Sequence, residues 1–289
     1  MSWRTVVITK RCKLDYKMGS MIVRGEETYR IILDEVSVLI IENTAVSLTT
    51  YLLEELSSRK IKVVFCDNKR NPSSELTSFY GCHDCSLKLK MQLEWNKNTK
   101  SSVWTEIVSD KIKKQMEFLF ELDHEAEAAM LYSYLVEMQF NDITNREGHA
   151  AKVYFNSLFG KSFSRSDDCV TNAALNYGYS LVLSCINREV VANGYLTQLG
   201  LFHDNMYNPF NLSCDLMEPF RILVDRFVVE RNYREFGTEQ KHDCVDLLNT
   251  SVSIGGNKQY LVNAIRIYCH SVFDALNERD ISLIKFYSV

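Results

Sequence analysis

The sequence predicts an α+β protein in which a small N-terminal β-rich domain is followed by a large all-α C-terminal domain. Short segments rich in β-branched and aromatic residues, separated by turn-forming residues, occupy the chain up to about residue 80. From about residue 84 the apolar residues instead recur at helical spacing. The 289 residues, of which 46% are hydrophobic, suffice for a sizeable core. We therefore predict domains at residues 1–83 and 88–289.

The predicted N-terminal domain contains six strands. They occupy residues 5–9, 14–17, 21–24, 29–33, 36–42 and 62–66. Between the last two strands, apolar residues at near-helical spacing predict a helix over 44–58, with Thr44 as its N-cap. Residues 67–74 contain Pro72 and are predicted to form a loop.

Seven amphipathic helices are predicted in the second domain. They occupy residues 87–95, 103–121, 125–140, 146–159, 171–192, 214–235 and 257–277. Ser213 is the expected N-cap of the sixth helix. Pro219 would lie in the first turns of that helix, where a missing N–H is tolerated.

The charge is unevenly distributed along the chain. The net charge of −4 excludes a uniformly basic nucleic-acid coat protein. Residues 1–100 contain 16 Lys and Arg against 12 Asp and Glu, whereas residues 101–289 contain 17 against 25. This asymmetry fits a DNA-binding surface joined to a carboxylate-rich metal site, and it equally fits ordinary solvated faces. The basic residues that could contact DNA phosphates are Arg59, Lys60, Lys62, Lys161 and Arg165.

The cysteine content indicates a reducing compartment. Nine scattered cysteines, no recognisable secretory leader and no apolar run of membrane-spanning length lead us to expect a cytoplasmic protein. Cys82 and Cys85 form a Cys-x-x-Cys pair, but no second pair completes a zinc site, and their role stays open. The spacing of the glycines excludes a Walker phosphate loop.

Three separated segments each supply a side chain suited to a divalent-metal site. Glu147 lies early in a predicted helix, His203 lies in a loop between two helices, and Glu218 lies near the start of the sixth helix. Two carboxylates and one imidazole suit Mg²⁺ or Mn²⁺, and such a site favours phosphodiester chemistry. Asp215, three residues before Glu218 and on the same side of the helix, is a possible additional acid. Taken singly, first-turn acids and a loop histidine are also common without function.

Four segments together resemble the signature blocks of a known family. Residues 147–155, 172–180, 200–203 and 215–221 are similar in order and spacing to those of the CRISPR spacer-acquisition integrase, the universal adaptation nuclease of CRISPR–Cas systems. The resemblance extends over essentially the whole chain. The short N-terminal strand domain and the sequence Arg-Glu-Gly-His at residues 146–149 look most like the type II-A branch.

The resemblance implies an activity and its site. Glu147, His203 and Glu218 correspond to the metal-binding catalytic residues, and Asp215 is a weaker correspondence. Glu218 departs from those members of the family that have Asp at this position. The implied reaction joins the 3′-hydroxyl ends of short foreign DNA fragments to a repeat array by transesterification, with endonuclease activity at the same Mg²⁺ or Mn²⁺ site.

Partners are also implied. The resemblance implies double-stranded DNA, a small CRISPR adaptation partner protein and, for the type II-A branch, the effector nuclease and a DNA-end-binding ring protein. The exposed strand edges of the N-terminal domain lead us to expect a homodimer. Two alternatives stay open, a general metal-dependent DNA nuclease and a non-catalytic DNA-binding scaffold. Asn172 and Asn176 could either pack around Gly178 or use their amides to orient ligands or touch DNA.

Overall fold

The computed structural model describes residues 4–79 and 81–288, and the α+β class is confirmed. All six predicted strands of the first part are present. The strands are β1 (Arg4–Ile8), β2 (Lys13–Lys17), β3 (Ser20–Arg24), β4 (Thr28–Ile32), β5 (Val36–Ile41), β6 (Ser47–Leu48), β7 (Lys62–Cys66) and β8 (Pro72–Leu76), with helix α1 (Thr50–Ser58) before β7.

The N-terminal strands form two four-stranded sheets. The first has the order β1-β5-β7-β8, with β1, β5 and β7 parallel and β8 antiparallel at the edge. The second has the order β4-β3-β2-β6. All residues of β5 are buried, because one face packs against the second sheet and α1 while Val38 and Ile40 contribute to the core of the helical part. One core thus extends from the first sheet into the helices.

Two local predictions in this part are wrong. Helix α1 begins at Thr50 rather than near Thr44, because the Thr49 hydroxyl caps it by accepting a 3.3 Å hydrogen bond from the Leu52 N–H, and the preceding residues form β6 beside β2. The predicted loop 67–74 contains the start of β8. Pro72 is tolerated there because it is the first residue of an edge strand.

The second part is mainly helical. Its helices are α2 (Cys85–Leu93), α3 (Lys97–Glu121), α4 (Glu125–Val136), α5 (Arg146–Phe159), α6 (Val170–Ala192), α7 (Asn211–Met217), α8 (Arg221–Arg231), α9 (Thr238–Asp246) and α10 (Leu261–Glu278). No helix in the described part of the chain is both long and apolar enough to cross a membrane. Cys82 and Cys85 lie at the start of α2 with their Sγ atoms 3.6 Å apart.

The prediction that this second part is all-α is wrong. Strands β9 (Ser251–Ile254), β10 (Asn257–Tyr260) and β11 (Tyr287–Ser288) form a three-stranded antiparallel sheet. Gly255 and Gly256 connect β9 to β10 with positive φ angles of 58° and 76°, a conformation that favours glycine and makes a tight hairpin. The last long helix therefore begins at Leu261 instead of residue 257.

The predicted helix 214–235 is interrupted. Helix α7 ends at Met217, a 3₁₀ turn covers Glu218–Phe220, and α8 begins at Arg221. The break occurs at Pro219, which lacks the N–H that a continuous helix would use. The expected cap Ser213 instead lies inside α7 and is fully buried. The interruption places Glu218 at the joint between two helices.

Candidate active site

The start of α5 fixes the position of Glu147. The buried Asp142 carboxylate accepts hydrogen bonds from the backbone N–H groups of Arg146 (2.6 Å) and Glu147 (3.1 Å). The side chain of Asn145 caps the same turn by accepting from the Gly148 N–H at 3.3 Å. The free N–H groups of the first turn of α5 thus have acceptors, and the backbone at Glu147 and at both of its chain neighbours is fixed by hydrogen bonds.

Asp215 organises the loop that carries His203. Its fully buried carboxylate accepts from the backbone N–H groups of Leu201 (2.6 Å), Phe202 (3.0 Å) and His203 (3.3 Å). The same carboxylate pairs with His203 Nδ1 at 2.5 Å. The imidazole is thereby oriented so that Nε2 is the nitrogen that can bind a metal, an arrangement typical of metal-binding histidines. Asp215 lies behind His203.

The close approach of this loop to Asp215 requires glycine at position 200. A Cβ atom added to Gly200 would lie 2.2 Å from the His203 carbonyl oxygen and 2.8 Å from Asp215 Oδ2. From the other side, the fully buried Trp104 of α3 stacks on Phe202, with ring centroids 4.6 Å apart and planes 3° apart. Trp104 also meets the His203 ring edge-on at 5.6 Å. The loop is therefore held between α3 and α7.

Glu147 and Glu218 converge on Lys111 of α3. The Lys111 Nζ donates to Glu218 Oε2 at 2.5 Å and to Glu147 Oε1. Arg221 Nε donates to the other oxygen of Glu218 at 2.9 Å. Lys111 and Glu218 are only 5% and 4% exposed. Sequence reasoning missed Lys111, although its spacing from Trp104 and Ile107 on the buried face of α3 was a signal that this lysine is buried.

Neighbouring charges shift the pKa values of Lys111, Glu218 and His203. Burial alone would lower the pKa of Lys111, but the charges of Glu218 and Glu147 outweigh it, so its pKa is raised. Burial would raise the pKa of Glu218, but Arg221 and Lys111 lower it to about 2. The hydrogen bond to Asp215 raises the pKa of His203 against the effect of burial, and the charges of Glu218 and Glu147 add to the rise. Lys111 therefore contacts both carboxylates directly, and the charges of the same two carboxylates act on His203.

The donor types suit a hard divalent ion. Two carboxylates and an imidazole nitrogen are ligands that Mg²⁺ and Mn²⁺ accept. Among residues 4–79 and 81–288, however, no three His, Cys, Asp or Glu side chains are arranged at distances that would hold a metal ion. The position between the Glu147 and Glu218 carboxylates is taken by the Lys111 ammonium.

A basic and aromatic cluster adjoins this site. Arg165 donates to the side-chain oxygens of Asn172 and Asn176, the latter at 2.7 Å. The guanidinium of Arg165 lies 5.4 Å from the Tyr179 ring centroid, and that of Arg221 lies 4.8 Å from the same ring. The two asparagines therefore position an arginine rather than pack around Gly178. Position 178 requires glycine because of the neighbouring helix α8. A Cβ atom added to Gly178 would lie only 2.5 Å from Val224 Cγ1.

The remaining basic residues differ in their accessibility. Lys161 and Lys60 are exposed. Arg59 is half-buried and pairs with Asp34 and Glu55. The prediction that Lys62 contacts DNA is wrong for this fold, because its ammonium is buried and paired with Glu75. The sequence could not show this, because the face of β7 that carries Lys62 packs against α6, which lies far away in the chain.

Comparisons with known proteins agree with one another. The sequence profile of the family described as "CRISPR associated protein Cas1" matches residues 5–247. The chain is 34% identical over 230 residues to the CRISPR-associated endonuclease Cas1 of Neisseria meningitidis serogroup C (strain 8013), which covers 79% of this chain and 76% of the relative.

Solved structures share the fold. A casposase bound to integration product matches with a TM-score of 0.76 and 17% identity over 96% of this chain and 91% of the casposase. A chain of a Cas6-RT-Cas1–Cas2 complex matches with a TM-score of 0.76 and 17% identity over 97% of this chain. This match covers 36% of that longer chain, so the present chain spans about a third of it.

Proposed function

The chain belongs to the Cas1 family of CRISPR-associated proteins, and on this premise we propose that it is a metal-dependent DNA integrase of CRISPR adaptation. It would join the 3′-hydroxyl ends of short foreign DNA fragments to a repeat array by transesterification and would also have endonuclease activity. The observation that carries this proposal is the convergence of Glu147 and Glu218 on one cation position, which the Lys111 ammonium occupies.

The side chains at such a site would have two roles, which are binding the metal ion and positioning the residues that bind it. Glu147, Glu218 and His203 Nε2 would hold Mg²⁺ or Mn²⁺. When bound, the ion would polarise the phosphodiester and favour ionisation of the attacking hydroxyl. Asp215 keeps the imidazole oriented through Nδ1. Arg221 fixes Glu218 by its 2.9 Å hydrogen bond.

The nucleophile decides between integration and hydrolysis. A DNA 3′-hydroxyl at this site gives strand transfer, whereas water gives cleavage. The family supports a DNA substrate, and the similar fold of a casposase bound to integration product supports strand transfer. We further propose double-stranded DNA, a second copy of this chain and a small Cas2-type protein as partners. The type II-A resemblance adds the effector nuclease and a DNA-end-binding ring protein.

The product of the reaction tests the proposal. The purified protein and its Cas2-type partner would be mixed with a short DNA duplex and a supercoiled plasmid that carries a repeat. We expect joined DNA only with a free 3′-hydroxyl and with Mg²⁺ or Mn²⁺, and none with a 3′-dideoxy duplex or with EDTA, because strand transfer needs both the nucleophile and the ion. Shortened but unjoined DNA would favour a general nuclease. DNA binding with no chemical change in any metal would favour a scaffold.

Arg165 of the cluster beside the site and the exposed Lys161 are the residues that we expect to contact DNA phosphates. Replacing Lys161 and Arg165 together by glutamine should weaken DNA binding and reduce the slope of log affinity against log salt by about one to two, because each lost phosphate contact reduces it by about 0.9. Sequence preference should change little. The measurement is fluorescence anisotropy of labelled duplex DNA at several salt concentrations.

Lys60→Gln tests a second predicted DNA contact. Lys60 is an exposed lysine of the N-terminal part, and we expect its replacement to reduce the slope by at most about 0.9, which is less than the change for the double variant. If Lys60→Gln reduced the slope and the double variant did not, the N-terminal basic residues would be the DNA contact instead.

A further inference from the structure

Lys111 occupies the place that a metal shared by Glu147 and Glu218 would need. Its ammonium contacts one oxygen of each carboxylate, one from the start of α5 and one from the joint between α7 and α8. Neither acid is near Lys111 in sequence, since they are 36 and 107 residues away. An ammonium and a divalent ion cannot both lie between the same two carboxylates.

The buried negative charge of Glu218 requires a cation between the two carboxylates whether or not a metal ion is bound. Glu218 is buried, and a buried carboxylate without a compensating cation strongly destabilises a fold. Arg221 binds only one of its two oxygens, and Lys111 binds the other. Glu147 faces the same position from α5. Lys111 therefore keeps the two acids together without any other ligand.

We propose that Lys111 is a built-in counter-cation that exchanges with the divalent ion at this site. Lys111 is a positioning residue, because its contacts keep the Glu147 and Glu218 carboxylates close together in the absence of the ion. Its ammonium must move away when the ion binds. Lys111 thus sets the metal concentration at which the site fills. This inference rests on the proposed metal site.

The test is Mn²⁺ affinity, measured by isothermal titration calorimetry on the whole chain. Lys111→Met removes the competing charge, and we expect it to bind Mn²⁺ about tenfold more tightly or better, because one unit charge at contact distance is worth at least about a factor of ten in affinity. Lys111→Gln removes the charge but keeps a hydrogen-bond donor. Lys111→Gln should also bind Mn²⁺ more tightly than the parent, and it provides the test if Lys111→Met folds poorly in the absence of Mn²⁺.

Lys114→Met is the matched control. Lys114 is also a buried lysine of α3, but its partner is Asp110, which is not a proposed ligand. We expect this variant to lose thermal stability while its Mn²⁺ affinity stays that of the parent. The rise in melting temperature caused by Mn²⁺ should be larger for both Lys111 variants than for the parent and unchanged for Lys114→Met.

The outcomes separate this inference from the function on which it rests. If the parent binds Mn²⁺ and both Lys111 variants bind it equally or more weakly, the exchange is overturned and the metal site stands. If only the Lys111 variants bind Mn²⁺, the exchange is supported in its strongest form. If neither the parent nor any variant binds Mn²⁺, the metal site and the exchange both fail.

Discussion

Glu147→Gln should reduce strand joining by at least about a hundredfold while leaving the fold intact. Changes to groups that merely support a metal ligand cost about 10- to 100-fold, and the loss of a ligand's charge should cost more. Glutamine is nearly the same size as glutamate and keeps an oxygen that can accept from Lys111, so the start of α5 should not change. The measurement is the yield of joined DNA at equal Mg²⁺, with the melting temperature recorded in parallel.

A matched glutamate distinguishes a ligand from an ordinary first-turn acid. Glu239 lies in the first turn of α9 and is exposed, so Glu239→Gln removes the same charge from the same position in a helix. We expect it to retain parental activity. DNA binding by Glu147→Gln should stay within a few-fold of the parent. Parental joining by Glu147→Gln would remove this residue from the proposed site.

Asp215→Asn should reduce both stability and activity. The native carboxylate accepts from three backbone N–H groups and pairs with His203 Nδ1. An asparagine would direct its NH₂ group at donors on one side of this pocket and leave them without an acceptor. Leaving buried hydrogen-bonding groups unsatisfied costs about 1–3 kcal/mol each, so we expect a loss of about 3 kcal/mol in the free energy of unfolding.

The loss of activity should exceed what stability explains. With the imidazole no longer held through Nδ1, we expect about 10- to 100-fold slower joining at a temperature where the variant is still folded. Urea unfolding gives the stability, and the joining assay gives the rate. Asp204→Asn changes an exposed aspartate of the same loop and should behave as the parent. Asp215→Asn with parental stability and rate would mean that Asp215 does not organise the loop.

Much of the fold was predictable because it depends on local pattern. The six N-terminal strands were found from β-branched and aromatic residues, and helix 146–159 has the bounds of α5. The predicted helix bounds that were wrong each lie beside a residue that caps or interrupts a helix or forms a turn. The Thr49 cap starts α1, Pro219 divides α7 from α8, and the two glycines at 255 and 256 make a hairpin.

For the candidate site, the sequence by itself singled out Glu147, His203 and Glu218, because these residues lie in motifs that can be read along the chain. Only the tertiary structure decided what surrounds them. It placed Lys111 between the two glutamates, Asp215 behind His203, and Lys62 in the interior. The physical reason is that the state of a charged side chain depends on burial and on partners that packing brings from distant parts of the chain. A lysine therefore looks the same in sequence whether it is solvated, buried in a pair, or placed where a metal would bind.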